Sequence, residues 1–510
     1  MSSLRIVFRV DASSQIGTGH VMRCITLANS LVKQGAMIRF VARHMPEHLQ
    51  ALIKSYGFEL SLLSSAIGNE QLDEVVNELG HAQWLGVSQL SDAEDAVNSL
   101  KDKSWDWLIV DHYALDICWE KTLRNSVSKI MVIDDIADRS HDCDILLDQN
   151  YYTDMPLRYQ NKVPSHCRLL LGPKYALLRD EFIEARKNLQ AKDGVVKRVL
   201  VFFGGVDSYN YTGKAIQALS ALSEYKLDVD VVIGASHPKK DEVINSCKLY
   251  DYHCHVQTNK MAELMAGADL VIGAGGAATW EKFCLGLPSI TLPTADNQIK
   301  QLNDLAANGY CYVIQSSQNM LNTYKLHIKA VIENPNLTSF LAKNCMTLVD
   351  GLGVARITTA LTSNSLLKMR RVTIDDEQAI HDWRNHPVIR AVSKNKELIA
   401  WPSHQSWFKD MLENPNVVML IAELNKAPAA VARFDLQNEE AEVSIYLIQQ
   451  ETSRGLGLYV LQSAEQWMLD NDFNVKQLNA TVLDGNNKSH QLFKLAGYQI
   501  ESTYYKKVIH

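Results

Sequence analysis

The strongest constraint on this chain is a pattern that runs once and then starts again. Short apolar runs at residues 4–10, 37–42, 107–110 and 130–133 alternate with amphipathic stretches, the first over 21–34. Runs of this length, separated by segments of helical period, predict parallel strands joined by crossover helices. The pattern restarts at 198–203 (RVLVFF) and continues at 228–233, 270–272 and 289–292. Two doubly wound α/β halves follow, one over 1–155 and one over 156–362, with a helical tail over 324–348. After "GLGVARITTALTSNSLLK", rich in Ser and Thr, the order of elements changes. Helices are expected at 377–384 and 404–412, strands at 417–423, 429–435 and 442–447, then a helix from 455, a strand at 477–482 and a helix at 488–495. Strands that follow one another without a helix between them predict antiparallel pairing, hence an α+β domain over 366–510. The Ser/Thr-rich stretch reads as a mobile linker near residue 365.

At 510 residues the chain is too long for one core. Its net charge of -7, with no Lys/Arg cluster, argues against a nucleic-acid binder. No run approaches a membrane span, and Arg9 and Asp11 interrupt the first apolar stretch as they would not in a secretory leader. Nine cysteines, all before residue 346 and without CxxC spacing, are the usage of a reducing compartment. The expectation is a cytoplasmic protein with small-molecule substrates and no membrane or nucleic-acid partner.

The stretch "SSQIGTGHVMRC" places Gly17, Gly19 and His20 where the first strand hands over to a helix. Glycines there let backbone N–H groups approach a ligand, and the positive end of the helix favours developing negative charge and a neutral imidazole. His20 is therefore a candidate general base. The spacing is not GxGxxG, so dinucleotide binding is poorly supported. In the second half, "VIGAGGAATWEKFCLGLP" opens a helix from Gly273, Gly275 and Gly276, with Glu281 in its early turns. Amides on a diphosphate and a carboxylate on ribose hydroxyls would suit a nucleoside diphosphate. Two Rossmann-like domains with a cleft between them and a nucleotide loop in the second are the GT-B arrangement.

The ordered blocks "RVDASSQIGTGHVMRCITLA", "VDHYALDICWE", "IDDIADRSHDCDILLDQN", "LLLGPKYALLRDEF", "FFGGVDSYNYT" and "GAGGAATWEKFCLGLP" resemble the UDP-sugar hydrolases of pseudaminic acid biosynthesis, over roughly residues 4 to 350. The resemblance implies hydrolysis of UDP-2,4-diacetamido-2,4,6-trideoxy-β-L-altropyranose to UDP and free sugar, without a metal. It implies His20 as the base that activates water for inverting attack, with Tyr113 and Asn297 at the sugar. Gly17, Gly19, Arg23, Gly275, Gly276, Thr279, Glu281 and Gln298 would surround the substrate, Glu281 on the ribose. Related transferases often carry a threonine three residues before this glutamate. Ala278 stands there, and Thr279 follows it.

In the last segment, a strand, "TSRGLG", a helix, a strand and "NNKSHQLFKLAGY" together resemble GNAT-type N-acetyltransferases, over about residues 369–506. The resemblance implies acetyl-CoA as co-substrate, held by Arg454, Gly455, Leu456 and Gly457 and flanked by Asn486 and Ser489. Alternation along "EVSIYL" puts Glu442, Ser444 and Tyr446 on one strand face, which makes Glu442 a candidate base through water. Phe493 stands where many members carry a tyrosine acid, and Tyr504 or Tyr505 could replace it. Together the two resemblances imply a bifunctional enzyme that acetylates the 4-amino group of a UDP-4-amino-4,6-dideoxy sugar and then removes UDP. The alternatives are a GT-B glycosyltransferase with an accessory acetyltransferase, a related legionaminic-type enzyme, or a nucleotide-sugar sensor. "YHCHV" (His253, His255) and the acidic loop Asp134, Asp135, Asp138, Asp142, Asp144 are weaker metal candidates, set against turn capping and surface charge.

Overall fold

The computed structural model describes the chain apart from residues 1–2, 14, 65–78, 190–191, 277, 364–366, 425, 449–455, 472, 484 and 500–510. It divides into two compact units, 1–357 and 358–510. The first unit contains two parallel sheets. Strands β1 (Arg5–Val10), β2 (Met37–Ala42), β3 (Glu59–Leu62), β4 (Trp105–Asp111), β5 (Val127–Ile133), β6 (Ile145–Asp148) and β7 (Arg168–Leu171) form one, in the order β3-β2-β1-β4-β5-β6-β7. Strands β8 (Arg198–Phe202), β9 (Asp228–Ile233), β10 (His253–Val256), β11 (Leu270–Ala274), β12 (Ser289–Leu292) and β13 (Tyr312–Val313) form the other, in the order β10-β9-β8-β11-β12-β13. In each sheet the chain reverses direction across the sheet between two neighbouring strands, β1 and β4 in the first and β8 and β11 in the second. Loops leaving the carboxyl ends of such strands part there and open a crevice, so both crevices fall on the glycine-bearing loops.

These strands are apolar because helices cover both faces of a parallel sheet. Ile6, Val7, Phe8 and Val10 are all fully buried. Arg9 is buried among them, and it is satisfied rather than exposed. Its guanidinium pairs with Asp11 at 2.6 Å and with Asp92 at 2.8 Å. Asp92 also receives Arg43 at 2.9 Å and the Trp119 indole N–H at 3.0 Å. The charges that interrupt the first apolar run are thus an internal network at the root of the β1 loop.

Three sequence boundaries shift. The first half does not end at 155, because β7 pairs with β6 along Ile145↔Arg168 to Asp148↔Leu171. The second half begins instead with helix Asp180–Lys187, whose Phe182 lies in its core. The helical tail is two helices, Met320–Ile332 and Pro335–Leu348, since a proline starts a helix readily but cannot continue one. The Ser/Thr-rich stretch begins with helix Gly353–Ser363, while residues 364–366, where the linker was expected, lie outside the described residues. Val354, Ile357 and Leu361 recur on one helical stripe and are buried, while the hydroxyl residues disguise the period.

Among the described residues of the second unit, β14 (Leu367–Arg371), β15 (Val417–Leu424), β16 (Ala427–Gln437), β17 (Glu440–Leu447) and β18 (Gln477–Asn479) form one five-stranded sheet, in chain order. Pairing is antiparallel as far as β17 and parallel between β17 and β18. Helices Glu377–Asn385 and Trp401–Glu413 bring Ile380, Phe408 and Met411 to one core. Helix Leu456–Asp470 brings Leu461, Ala464 and Met468 to another.

Asp92→Ala would leave two buried guanidinium groups without their shared carboxylate. A loss of about 3–5 kcal/mol is expected, read as a lower midpoint in urea for the first unit, and a change below about 1 kcal/mol would show the network to be dispensable.

Candidate active sites

The crevice of the first unit is a cleft of about 740 Å³ whose walls come from both sheets. On the first wall the chain leaves β1, turns through 13–17, and enters helix Gly19–Val32. Gly17 sits at φ +78°, a conformation few residues other than glycine hold, and its N–H closes the turn on the Ser13 carbonyl at 2.9 Å. The turn delivers His20 to the start of the helix, where it lines the cleft with Gly19 and Arg23; Gly17 does not reach the lining.

His20 does not act alone. Its Nδ1 lies 2.6 Å from Asp111 Oδ1, at the end of β4. Burial works against a charge on Asp111. Arg23 and His20 overcome this and hold its carboxyl well below the ordinary range. An ionised carboxylate can only accept, so His20 Nδ1 carries the proton and Nε2 is the basic nitrogen of a ring that lines the cleft. Arg23, expected as a substrate contact, directs two nitrogens at Asp111, each at 2.6 Å, and a third at Asp135 at 2.5 Å. Asp135 also accepts the Tyr113 hydroxyl at 2.8 Å. Burial raises the Tyr113 phenol well above its usual range, with Asp135 adding to the effect, so Tyr113 serves as a donor. The rings of His20 and Tyr113 meet edge to face at 4.8 Å, and Trp84 stacks on Tyr113 at 5.7 Å.

The second wall is the loop after β11. Gly275 and Gly276 line the cleft with Ala278, Trp280 and Glu281. A Cβ on Gly275 would lie 2.5 Å from the buried Leu302 side chain, so any larger residue would have to push Leu302 aside where this loop sits on helix Asn297–Ala307. Thr279 is not in the lining. Its side chain is buried, 2 % exposed, and its hydroxyl has no hydrogen-bond partner among the described residues. Asn297 begins its helix, and Gln298 lines the cleft while accepting from the Thr294 N–H at 2.9 Å.

The second unit has its own pocket of about 640 Å³. Strands β17 and β18 pair only over Glu440–Glu442 with Gln477–Asn479. Beyond that the chains part, and the pocket lies between Val443–Tyr446 on one side and Thr481–Leu483 on the other. Freed backbone groups along such a gap suit an amide-bearing chain like the pantetheine arm of acetyl-CoA. Glu442, Ser444 and Tyr446 line it, as do Asn486, Ser489 and Phe493. Glu442 is half exposed and 3.5 Å from Lys394. The Tyr446 hydroxyl is buried without a hydrogen-bond partner among the described residues, and burial raises its phenol. Asn486 caps helix Asn487–Leu495 by accepting from the Ser489 N–H at 3.2 Å. Leu456 is a core residue beside Val460, leaving only its backbone for a ligand, and Gly457 lies by Leu492. Arg454, Gly455, Tyr504 and Tyr505 lie outside the described residues.

The weaker metal candidates are ion-paired. Asp142 and Asp144 bracket Arg124 at 2.9 and 2.6 Å, and Asp134 and Asp138 meet Arg139 at 3.1 and 2.8 Å. His255 bonds to Asp230 at 2.7 Å, and His253 is largely exposed. Among the described residues no group of three or more His, Cys, Asp or Glu side chains is placed to hold a metal ion, and no helix is long and apolar enough to cross a membrane.

Residues 198–338 match the C-terminal domain of glycosyltransferase family 28, and residues 378–498 match the acetyltransferase (GNAT) family. MurG of Acinetobacter baumannii superposes with a TM-score of 0.50 at 13% identity, over 70% of this chain and 99% of its own. The chain joins a GT-B fold to a GNAT domain. Its GT-B part is similar to the UDP-2,4-diacetamido-2,4,6-trideoxy-beta-L-altropyranose hydrolase of Campylobacter jejuni, 27% identical over 310 residues, which are 60% of this chain and 98% of that one. An uncharacterized protein of Methanocaldococcus jannaschii is 23% identical over 507 residues, 97% of each chain, so its match runs through both parts.

Sequence reasoning missed Asp111, and it gave Asp135 only as a weak metal candidate. Both stood in the quoted blocks, as the acid before His112 and Tyr113 and the second acid of "IDD". An acid ending a buried strand beside the strand that carries the histidine was the available signal. Asp111→Asn would offer an amide N–H where His20 needs an acceptor. It is expected to lower UDP release from a nucleotide sugar by about 10²–10⁴, with little further loss on adding His20→Asn. Independent, multiplying losses in kcat would show that the two do not act as a unit.

Proposed function

We propose that the chain is a bifunctional nucleotide-sugar enzyme of pseudaminic acid biosynthesis. The GNAT domain transfers acetyl from acetyl-CoA to the 4-amino group of a UDP-4-amino-4,6-dideoxy sugar. The GT-B part then hydrolyses the resulting UDP-2,4-diacetamido-2,4,6-trideoxy-β-L-altropyranose with inversion. The observation that carries this reading is the His20–Asp111 pair on one wall of the cleft, across from Glu281 and the Gly275–Gly276 loop on the other. A base with its proton-accepting nitrogen directed by a buried carboxylate is what activation of water requires. The similarity to the Campylobacter jejuni hydrolase over 98% of that enzyme supports the same chemistry.

In this reaction His20 Nε2 takes a proton from water, the hydroxide oxygen bonds to sugar C1, and the C1–O bond to the diphosphate breaks. The electron pair leaves with UDP, and Asp111 steadies the imidazolium formed. Tyr113 and Asn297 serve the sugar, and Glu281 the ribose. In the GNAT domain the free amine attacks the thioester carbonyl, the C–N bond forms as the C–S bond breaks, the amine's proton passes through water to Glu442, and the electron pair leaves with CoA as a thiolate. With Phe493 in the tyrosine position, no acid is needed there, because thiols ionise near pH 8.5.

Purified protein given UDP-2-acetamido-4-amino-2,4,6-trideoxy-β-L-altrose and acetyl-CoA in oxygen-18 water is expected to release UDP and an N-acetylated sugar labelled at C1, observed by NMR and mass spectrometry. His20→Asn should accumulate the acetylated UDP-sugar, its hydrolysis lowered by about 10²–10⁴. Label in UDP would mean attack at phosphorus. The family 28 match favours one rival, a glycosyl transfer, which predicts no UDP release until a sugar or lipid acceptor is added.

A further inference from the structure

Arg179 belongs to the block "LLLGPKYALLRDEF", to which the reading above assigns no role. It precedes helix Asp180–Lys187 where the chain enters the second half, and it lines the cleft beside Glu281. Its guanidinium lies over the ring of Phe182 at 5.0 Å, and Phe182 is fully buried, so the cation rests on a fixed support. From there it reaches two carboxylates, Glu281 at 3.2 Å and Glu181 at 2.8 Å.

Glu281 needs such a partner. The residues on either side of it, Trp280 and Lys282, are each only 2 % exposed. Burial raises the Glu281 carboxyl, Arg179 opposes this, Glu181 adds to it, and Lys282 opposes it weakly. The Lys282 ammonium is turned to the Ala274 carbonyl at 3.1 Å, and burial has lowered it to about 8. Arg179 is therefore the strongest counter-charge facing this carboxylate. The distinction matters for a ribose. A carboxylate accepts both hydrogens of a vicinal diol, whereas a neutral carboxyl keeps a hydrogen of its own and loses half of that match.

We propose that Arg179 is the positioning residue for the ribose end of the nucleotide, its guanidinium holding Glu281 as a carboxylate that accepts the 2′- and 3′-hydroxyls together. The inference rests on the nucleotide reading of the cleft.

Calorimetric binding of UDP and of 2′,3′-dideoxyuridine 5′-diphosphate to the full chain, between pH 6 and pH 9, tests it. The affinity ratio of the two nucleotides isolates the diol, because the diphosphate titrates alike in both. A carboxyl raised by burial is neutral below its folded value and charged above it, and removing Arg179 moves that value further up. Arg179→Met is thus expected to lower the ratio about tenfold at the acid end of this range, and by less as the pH rises. Arg179→Lys should retain most of it, and Arg179→Gln supplies the same comparison should the Met variant fold poorly. A ratio unchanged at pH 6, or equal loss for both nucleotides at every pH, would overturn the proposal. Absence of UDP binding by the unsubstituted chain would instead overturn the nucleotide reading, and the inference with it.

Discussion

The GT-B part is organised around one buried carboxylate. Asp111 ends β4 beside the loop that leaves β1, at the point where the sheet's strand order reverses. A bare carboxylate there would be costly, and the structure surrounds it with the Arg23 guanidinium and the His20 ring. Both partners come from one helical turn, three residues apart, so the same pair of contacts that satisfies the acid fastens helix Gly19–Val32 to the sheet. Stability and chemistry coincide in this contact. The histidine is oriented because the acid needs partners, and its outer nitrogen is left for a substrate because the inner one is taken.

A second charge network underlies the first. Arg9, Asp11 and Arg43 lie at the carboxyl ends of β1 and β2, and Asp92 joins them from helix Gln89–Leu100. Asp11 also accepts the Arg43 backbone N–H at 2.7 Å, which ties the two strand ends together. Loops carrying functional residues are usually the least restrained parts of a domain. Here they spring from strand ends cross-linked by buried ion pairs, a rigid base from which a cleft can hold a reacting sugar within the tolerances catalysis requires. The opposite wall is held differently, by glycines that let a loop touch a helix and by an arginine resting on a buried phenylalanine ring.

The GNAT domain uses a simpler device. Its site is a failure of pairing: β17 and β18 run together for three residues and then part. The gap exposes backbone groups that a regular sheet would have consumed, and Glu442 to Tyr446 of β17 all line the pocket there. The two pockets thus occupy two units, and each is built from its own unit's residues.

The class of every sheet was legible in the chain, because apolar runs and helical periods are local properties: β2, β9 and β12 begin and end where the pattern ends them. The turns that carry His20 and Glu281 were legible too, because glycines at a strand-to-helix junction are a local signal, whereas Tyr113 stood out only through the family resemblance. Short or half-polar strands such as β6 and β7 were not, since their pairing depends on neighbours distant in sequence, and helix Gly353–Ser363 hid behind its hydroxyl residues. What only tertiary structure decided is partnership. Asp111 lies 91 residues from His20, and Arg179 lies 102 residues from Glu281. A sequence shows which residue types stand at a turn. Which buried acid meets which cation is settled only when desolvation makes an unpaired charge too costly and the folded sheet brings one partner within reach.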